Sequence, residues 1–156
     1  MKFVMFADFC QIVLLDVSVN LNDVHQPAFW DGEDPETAKF SSRANARAVA
    51  VGGIGKQDIL LEVEILEAAP DSSLSGWLHV FEFDLNLPSG RLGIVEILSL
   101  EHPERTLKVA PGRYRVRASI SADGVPVIVP PELMSDDLEA VHERVMLELW
   151  PRNSLL

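Results

Sequence analysis

The side chains that could bind a metal or act as a soft nucleophile are few: His25, His79, His102, His142 and the single cysteine, Cys10. No histidine stands three to five residues from another, and none neighbours Cys10. Zinc-type ligand spacing is therefore absent, and a site would have to be assembled entirely by the fold. No metal or cofactor is expected. Cys10 lies in an apolar run without a basic neighbour, which describes an inert buried thiol. His79 alternates with Trp77 and Phe81 and reads as a core or half-buried histidine. Neither a Gly-x-Ser-x-Gly elbow nor a P-loop occurs. The run Gly52-Gly53-Ile54-Gly55-Lys56 lacks the Walker spacing and no helical pattern follows it, so a bulge or hairpin turn is expected.

Carboxylates come in pairs at strand spacing, Glu62 with Glu64 and Glu82 with Asp84. Acid–base catalysis would need one member of a pair desolvated inside a cleft. A sheet surface supplies neither. The simpler expectation is that these acids meet the row Arg113, Arg115, Arg117 across strands. An exposed acidic patch or an exposed arginine row are the alternatives. No catalytic residues are assigned, and a noncatalytic role is favoured.

One segment differs in kind. Pro27-Ala28-Phe29-Trp30-Asp31-Gly32-Glu33-Asp34 sets two large aromatics beside Asp31, Glu33, Asp34 and Glu36. Aromatic anchors rimmed by charge resemble interface hot spots; a lid plugging the core has the same composition. Asp136, Asp137 and Glu139 form a second acidic segment. The candidate partner-binding set is thus Phe29, Trp30, Asp31, Glu33, Asp34, Glu36, Asp136, Asp137 and Glu139.

The elements that must position these residues read as short strands separated by turn formers. Phe3 to Val17 reads as one strand with both faces partly covered. Residues 18–46 are dense in Asn, Asp, Pro and Gly and read as a long connection with room for a helical turn or two after Glu36. Strands follow at 48–51, 59–66, 76–87 and 91–100. Pro88-Ser89-Gly90 is expected to close a tight antiparallel hairpin between the last two. Residues 105–109 and 113–120 are next, with Tyr114, Val116 and Ala118 facing in and the arginines out. Ser135-Asp136-Asp137-Leu138-Glu139 has the composition of a capped helix start, which predicts a short helix over 135–143. Residues 145–150 form the last strand. Little helix and no strand–helix alternation argue against a parallel α/β sheet. The expectation is an antiparallel two-sheet β-sandwich of about eight strands, one domain over residues 1–156.

Charge narrows the classes of partner. The chain of 156 residues carries a formal net charge of −11. Residues 1–40 hold 7 acids and 2 bases, residues 41–131 hold 11 and 9, and residues 132–156 hold 6 and 2. The surplus lies at the two ends of the chain. A negative field disfavours direct nucleic-acid binding and suits a basic protein partner or simply solubility. A lone cysteine fits a reducing compartment. Asp8 interrupts the first apolar run and no small-residue cleavage site follows, so no secretory signal is read there. No apolar run is long enough to span a bilayer as a helix. A cytoplasmic location without membrane contact is expected.

The order of features resembles the competence protein J family, whose namesake inhibits a DNA-entry nuclease. The resemblance rests on an aromatic first strand ending in an acidic turn (Phe6 to Asp16) and a Pro-aromatic-acid segment (Pro27 to Asp31). It continues through the strands Asp58 to Leu66 and His79 to Leu87. Its best match is Leu107 to Ile120, where Pro111-Gly112-Arg113-Tyr114 launches a strand, and it closes on a strand ending near Leu149-Trp150. Residues 130–144 carry no matching feature. The resemblance implies a noncovalent, stoichiometric binder of a nuclease and brings no catalytic residue with it. Two other readings stand beside it: a small-ligand binder or enzyme with a pocket between the sheets, and a homo-oligomeric module associating through a sheet edge or apolar patch, for which a homodimer is the simplest form.

Overall fold

A computed structural model describes residues 1–7, 11–20, 22, 47–52, 54, 57–71, 76–96, 105–121, 127–136, 138 and 141–152, with the backbone of 30–34 and 39–42. Eleven strands are described: β1 (Lys2–Phe6), β2 (Ile12–Asp16), β3 (Trp30–Asp34), β4 (Lys39–Ser42), β5 (Ala48–Val51), β6 (Asp58–Ile65), β7 (His79–Leu87), β8 (Arg91–Val95), β9 (Thr106–Lys108), β10 (Gly112–Ile120) and β11 (Glu143–Pro151). They form two sheets. Sheet A has the order β1-β6-β11-β10-β7, and sheet B the order β3-β4-β5-β2-β8-β9. Mostly-β content in two facing sheets agrees with the sequence-based expectation, with more strands than the eight anticipated.

The core follows from alternation. In β11, Val145, Leu147 and Leu149 are buried, while Arg144, Met146, Glu148 and Trp150 are half-buried between them. In β7, Phe83, Leu85 and Leu87 point in, and Glu82, Asp84 and Asn86 point out. Sheet B supplies Ile12, Leu14, Val49, Val51, Leu92 and Ile94 to the same apolar layer. Each such side chain contributes about 1.5–3 kcal/mol on leaving water. Sheet B is apolar on both faces at its centre: Val13, Leu15, Ala48, Ala50 and Val95, on the reverse side, are buried too. A strand covered on both sides reads as a continuous apolar run, which is why Ile12-Val13-Leu14-Leu15 shows no alternation.

Four expectations are corrected here. The first apolar segment is two strands rather than one, β1 in sheet A and β2 in sheet B. The Pro88-Ser89-Gly90 turn does not close a hairpin, because β7 pairs with β10 and β8 pairs with β2 and β9. The chain changes sheets there, and the turn is held by other elements rather than by its own two strands. Not every pair is antiparallel: β11 runs parallel to β6. Inserted between β6 and β10, β11 can be antiparallel to only one of them, since those two run in opposite directions. The helix expected over 135–143 is not formed at its described residues: Ser135, Asp136, Leu138, Val141 and His142 are non-helical, and Glu143 already begins β11. A single 3₁₀ turn, Pro131–Leu133, precedes this stretch. The Ser135 carbonyl accepts from the Leu138 amide at 3.1 Å, so the capping composition yields a local turn. No helix among the described residues is long and apolar enough to cross a membrane.

Both turns that carry the chain between sheets at one end of the sandwich pack together. Gly90 adopts φ +68°, and a Cβ there would lie 2.8 Å from the Val109 carbonyl and 3.0 Å from the Pro111 ring. Only glycine meets both demands. Next to it, the buried Tyr114 donates its hydroxyl to the Ala110 carbonyl at 2.7 Å. Such a tyrosine corner ties the start of a sandwich strand to the preceding turn.

Candidate functional site

The outer face of sheet A brings most of the sequence-derived charges together. In register, Arg115 stands opposite Asp84 and Arg117 opposite Glu82. Arg115 reaches Glu82 at 3.2 Å and Asp84 at 3.1 Å. Arg117 reaches Glu82 at 3.3 Å and Glu148 at 3.7 Å, and donates to the Asp71 carbonyl at 3.1 Å. Arg152 pairs with the other oxygen of Asp84. Arg117 also lies 5.8 Å from the Trp150 ring centroid. The expected pairing of Glu82 and Asp84 with the arginine row is therefore found. Desolvation pulls the Arg115 pKa down, and the two carboxylates more than reverse it, so the guanidinium stays charged.

The other acidic pair behaves differently. Glu62 is only 6% exposed and does not meet the arginine row. It accepts from Arg144 through two guanidinium nitrogens, one at 3.0 Å, and pairs with Lys2 at 3.2 Å. Trp77 lies against Arg144, its ring centroid 5.1 Å away. Burial pushes the Glu62 carboxyl upward, and the hydrogen bonds and charges of Arg144 and Lys2 outweigh that, leaving it below its ordinary value. Trp77 thus sits with the charges of the outer face rather than beside Phe81, because the strand begins only at His79. His79 itself is exposed, not a core histidine.

A second network lies where the chain changes sheets. Asp16 ends β2 with no exposed surface. Its Oδ1 accepts from the Ser18 amide at 2.9 Å and the Ser18 hydroxyl. Its Oδ2 accepts from the Ser89 amide at 2.9 Å and the Ser89 hydroxyl at 2.7 Å. Arg47 stands 3.7 Å away and donates to the Ser18 hydroxyl. Burial alone would raise this carboxyl; the serine hydrogen bonds overcome it and hold the pKa below its usual range. A carboxylate whose lone pairs are all engaged cannot take a proton from a substrate near neutral pH. Asp16 is a knot joining β2, the 88–90 turn and Arg47. Sequence reasoning passed over it because its partners lie 2, 31 and 73 positions away. The Asp-x-Ser spacing was the only local signal.

The acidic candidates fall on different parts of the fold. Trp30, Asp31, Glu33 and Asp34 form strand β3, the outermost strand of sheet B, instead of a loop. A register shift between Trp30 and Glu33 marks a bulge against β4. Phe29 and Glu36 lie outside the described residues. Asp136 is exposed in the connection between β10 and β11, which belong to sheet A. Asp137 and Glu139 lie outside the described residues, as do Cys10, His25 and His102. The two acidic segments are therefore attached to opposite sheets. The Gly52–Lys56 run joins β5 of sheet B to β6 of sheet A, so it does not close a hairpin; Ile54 is buried, and Gly53, Gly55 and Lys56 lie outside the described residues. Among the described residues no three His, Cys, Asp or Glu side chains are grouped so as to hold a metal.

Arg91 and Lys108 drew no notice in the sequence. They face each other across β8 and β9, both exposed, at the other edge of sheet B.

No protein-family model matches the chain, and no curated protein matches it in sequence. Two solved structures share its fold over nearly the whole length. One is a protein described as crocagin biosynthetic gene J, at 20% identity and a TM-score of 0.62, covering 97% of this chain and 96% of the other. The other is ComJ from Bacillus subtilis, described as an inhibitor of the DNA-degrading activity of NucA, at 9% identity and a TM-score of 0.55, again covering 97% and 96%. At these identities the likeness is one of fold, and the two-sheet architecture of this chain is similar to that of both.

Proposed function

We propose that this chain is a noncatalytic binding protein that docks its acidic surface on a basic protein, in the manner of a nuclease inhibitor. The observation that carries the reading is the end-to-end fold similarity to ComJ. A net charge of −11 supports it. Nuclease clefts are positive because they hold phosphates, and an acidic protein is steered toward them. The described acids of sheet A are largely engaged by Arg115, Arg117, Arg144 and Lys2, so they have little charge left for a partner. The contact is assigned to β3 with its flanks (Phe29, Trp30, Asp31, Glu33, Asp34, Glu36), with Asp136, Asp137 and Glu139 as a second region. The same fold serves a protein of crocagin biosynthesis, so the partner's identity is a matter for experiment.

The test is a pull-down with the purified chain from its source cell, alongside a DNA-degradation assay with any nuclease encoded next to it. Stoichiometric inhibition that weakens as salt rises, and that is lost in an Asp31→Lys/Glu33→Lys/Asp34→Lys variant, is the expected result. Recovery of no basic enzyme together with undiminished nuclease activity would refute the reading.

A further inference from the structure

Sheet B ends differently on its two sides. One terminal strand, β3, contains Trp30-Asp31-Gly32-Glu33-Asp34, three acids and no base. The other, β9, contains Thr106-Leu107-Lys108 and is backed by β8, which places Arg91 directly opposite Lys108. Two cations directly opposed across a strand pair repel. Most described cations are neutralised within the fold: Lys2, Arg47, Arg105, Arg115, Arg117, Arg144 and Arg152 each stand in an ion pair. Among the described residues no acid is paired with Arg91, Lys108 or the nearby exposed Arg113. Arg113 follows the Pro111 that packs on Gly90, so all three border the same turn.

A terminal strand offers unpaired main-chain groups, and a lysine there ordinarily wards off strand addition. That protection works against a neutral or basic strand. Against an acidic strand the same lysine attracts. We propose that this chain associates with itself head to tail, the acidic edge β3 of one copy adding to the basic edge β9 of the next. The contact is heterologous, so each added copy leaves one acidic and one basic edge free, and the product is an open chain or a closed ring. This inference stands apart from the inhibitor reading, although a copy whose β3 is occupied has that edge closed to any other partner.

The experiment is sedimentation velocity over a concentration series at about 0.15 M salt, where long-range repulsion between like-charged bodies is screened. The wild-type sedimentation coefficient rises with concentration. Arg91→Glu/Lys108→Glu sediments as a monomer at every concentration. So does Asp31→Lys/Glu33→Lys/Asp34→Lys, even though its smaller net negative charge would favour association if general repulsion were in control. Mixing the two variants restores the concentration-dependent rise, because each acidic edge then meets a basic one; restoration also shows that both variants are folded. A wild-type chain that stays monomeric, a charge-reversed β9 that still associates, or a mixture that remains monomeric would each overturn the proposal.

Discussion

Sheet A and sheet B handle charge in opposite ways. On the outer face of sheet A, acids and arginines alternate across β7, β10 and β11 and neutralise one another within the fold. In sheet B the centre is apolar on both sides, and charge is pushed to the two edges and the loop end. There Asp16 is saturated by serine donors, while Arg91 and Lys108 face each other. Charge paired inside a protein serves stability and register. Charge left without an internal partner is what remains for recognition. The more densely charged sheet is therefore the poorer candidate interface.

The strongest way to break this contrast is to remove Asp16, the charge buried in sheet B among the described residues. Asp16→Ala leaves two amides and two hydroxyls without their acceptor and Arg47 without its counter-charge. An expected loss of about 3–5 kcal/mol follows from orphaning a buried, hydrogen-bonded charge network. Urea denaturation reads it directly, and an unchanged midpoint would mean that the turn at 88–90 is held by Gly90 and Val109 instead.

Acid asks the same question without mutation. Asp16 and Glu62 both have folded pKa values below their ordinary ones. The stability they contribute is fully present above the unfolded-state carboxylate range near pH 4, and it is lost as pH falls through the lowered folded values. The urea midpoint should therefore fall steeply only below about pH 4. Asp16→Asn should show a shallower acid limb; parallel curves would assign the acid loss to other groups.

On sheet A, Arg144→Met removes the guanidinium that donates through two nitrogens to Oε2 of Glu62, together with its packing on Trp77, while Lys2 remains on Oε1. The expected cost is about 2 kcal/mol, the range for hydrogen bonds to a charged group. Double substitution with Glu62→Gln should cost less than the sum of the two single changes, because the orphaned carboxylate is gone. Additive losses would show that the two side chains stabilise independently.

At the sheet B edge the effect should be smallest and opposite in sign to the loss of an ion pair. Arg91→Ala or Lys108→Ala removes a repulsive partner at an exposed position, so thermal unfolding of the monomer should change by no more than about 0.5 kcal/mol, toward stabilisation. A clear loss would reveal an internal role for these cations.

Much of the architecture was legible in local pattern. Tyr114 and Val116 against Arg113 and Arg115 alternate with period two and name their own faces. The Pro-Gly-Arg-Tyr opening marked the start of β10, and the structure adds the tyrosine corner there. Local pattern failed wherever two solutions share one signature. A compact Pro-Ser-Gly turn between strands serves a hairpin or a change of sheet equally well, and only the partners of β7 and β8 distinguish them. Ser135 to Glu139 carried the composition of a helix cap, but Ser135 accepts from Leu138 in a local turn and β11 begins at Glu143.

The sequence by itself determined the mostly-β class and the inward face of β10, and it anticipated the pairing of Glu82 and Asp84 with Arg115 and Arg117. These depend on residues two apart or on one sheet face, where periodicity is the controlling physics. Only the tertiary structure decided that β11 enters between β6 and β10, that Asp16 is enclosed by Ser18, Ser89 and Arg47, and that Trp30 to Asp34 form one edge of a sheet whose opposite edge bears Arg91 and Lys108. Each of these joins residues tens of positions apart. Their meeting is set by which apolar faces the whole chain can bury at once, and no window of sequence contains that information.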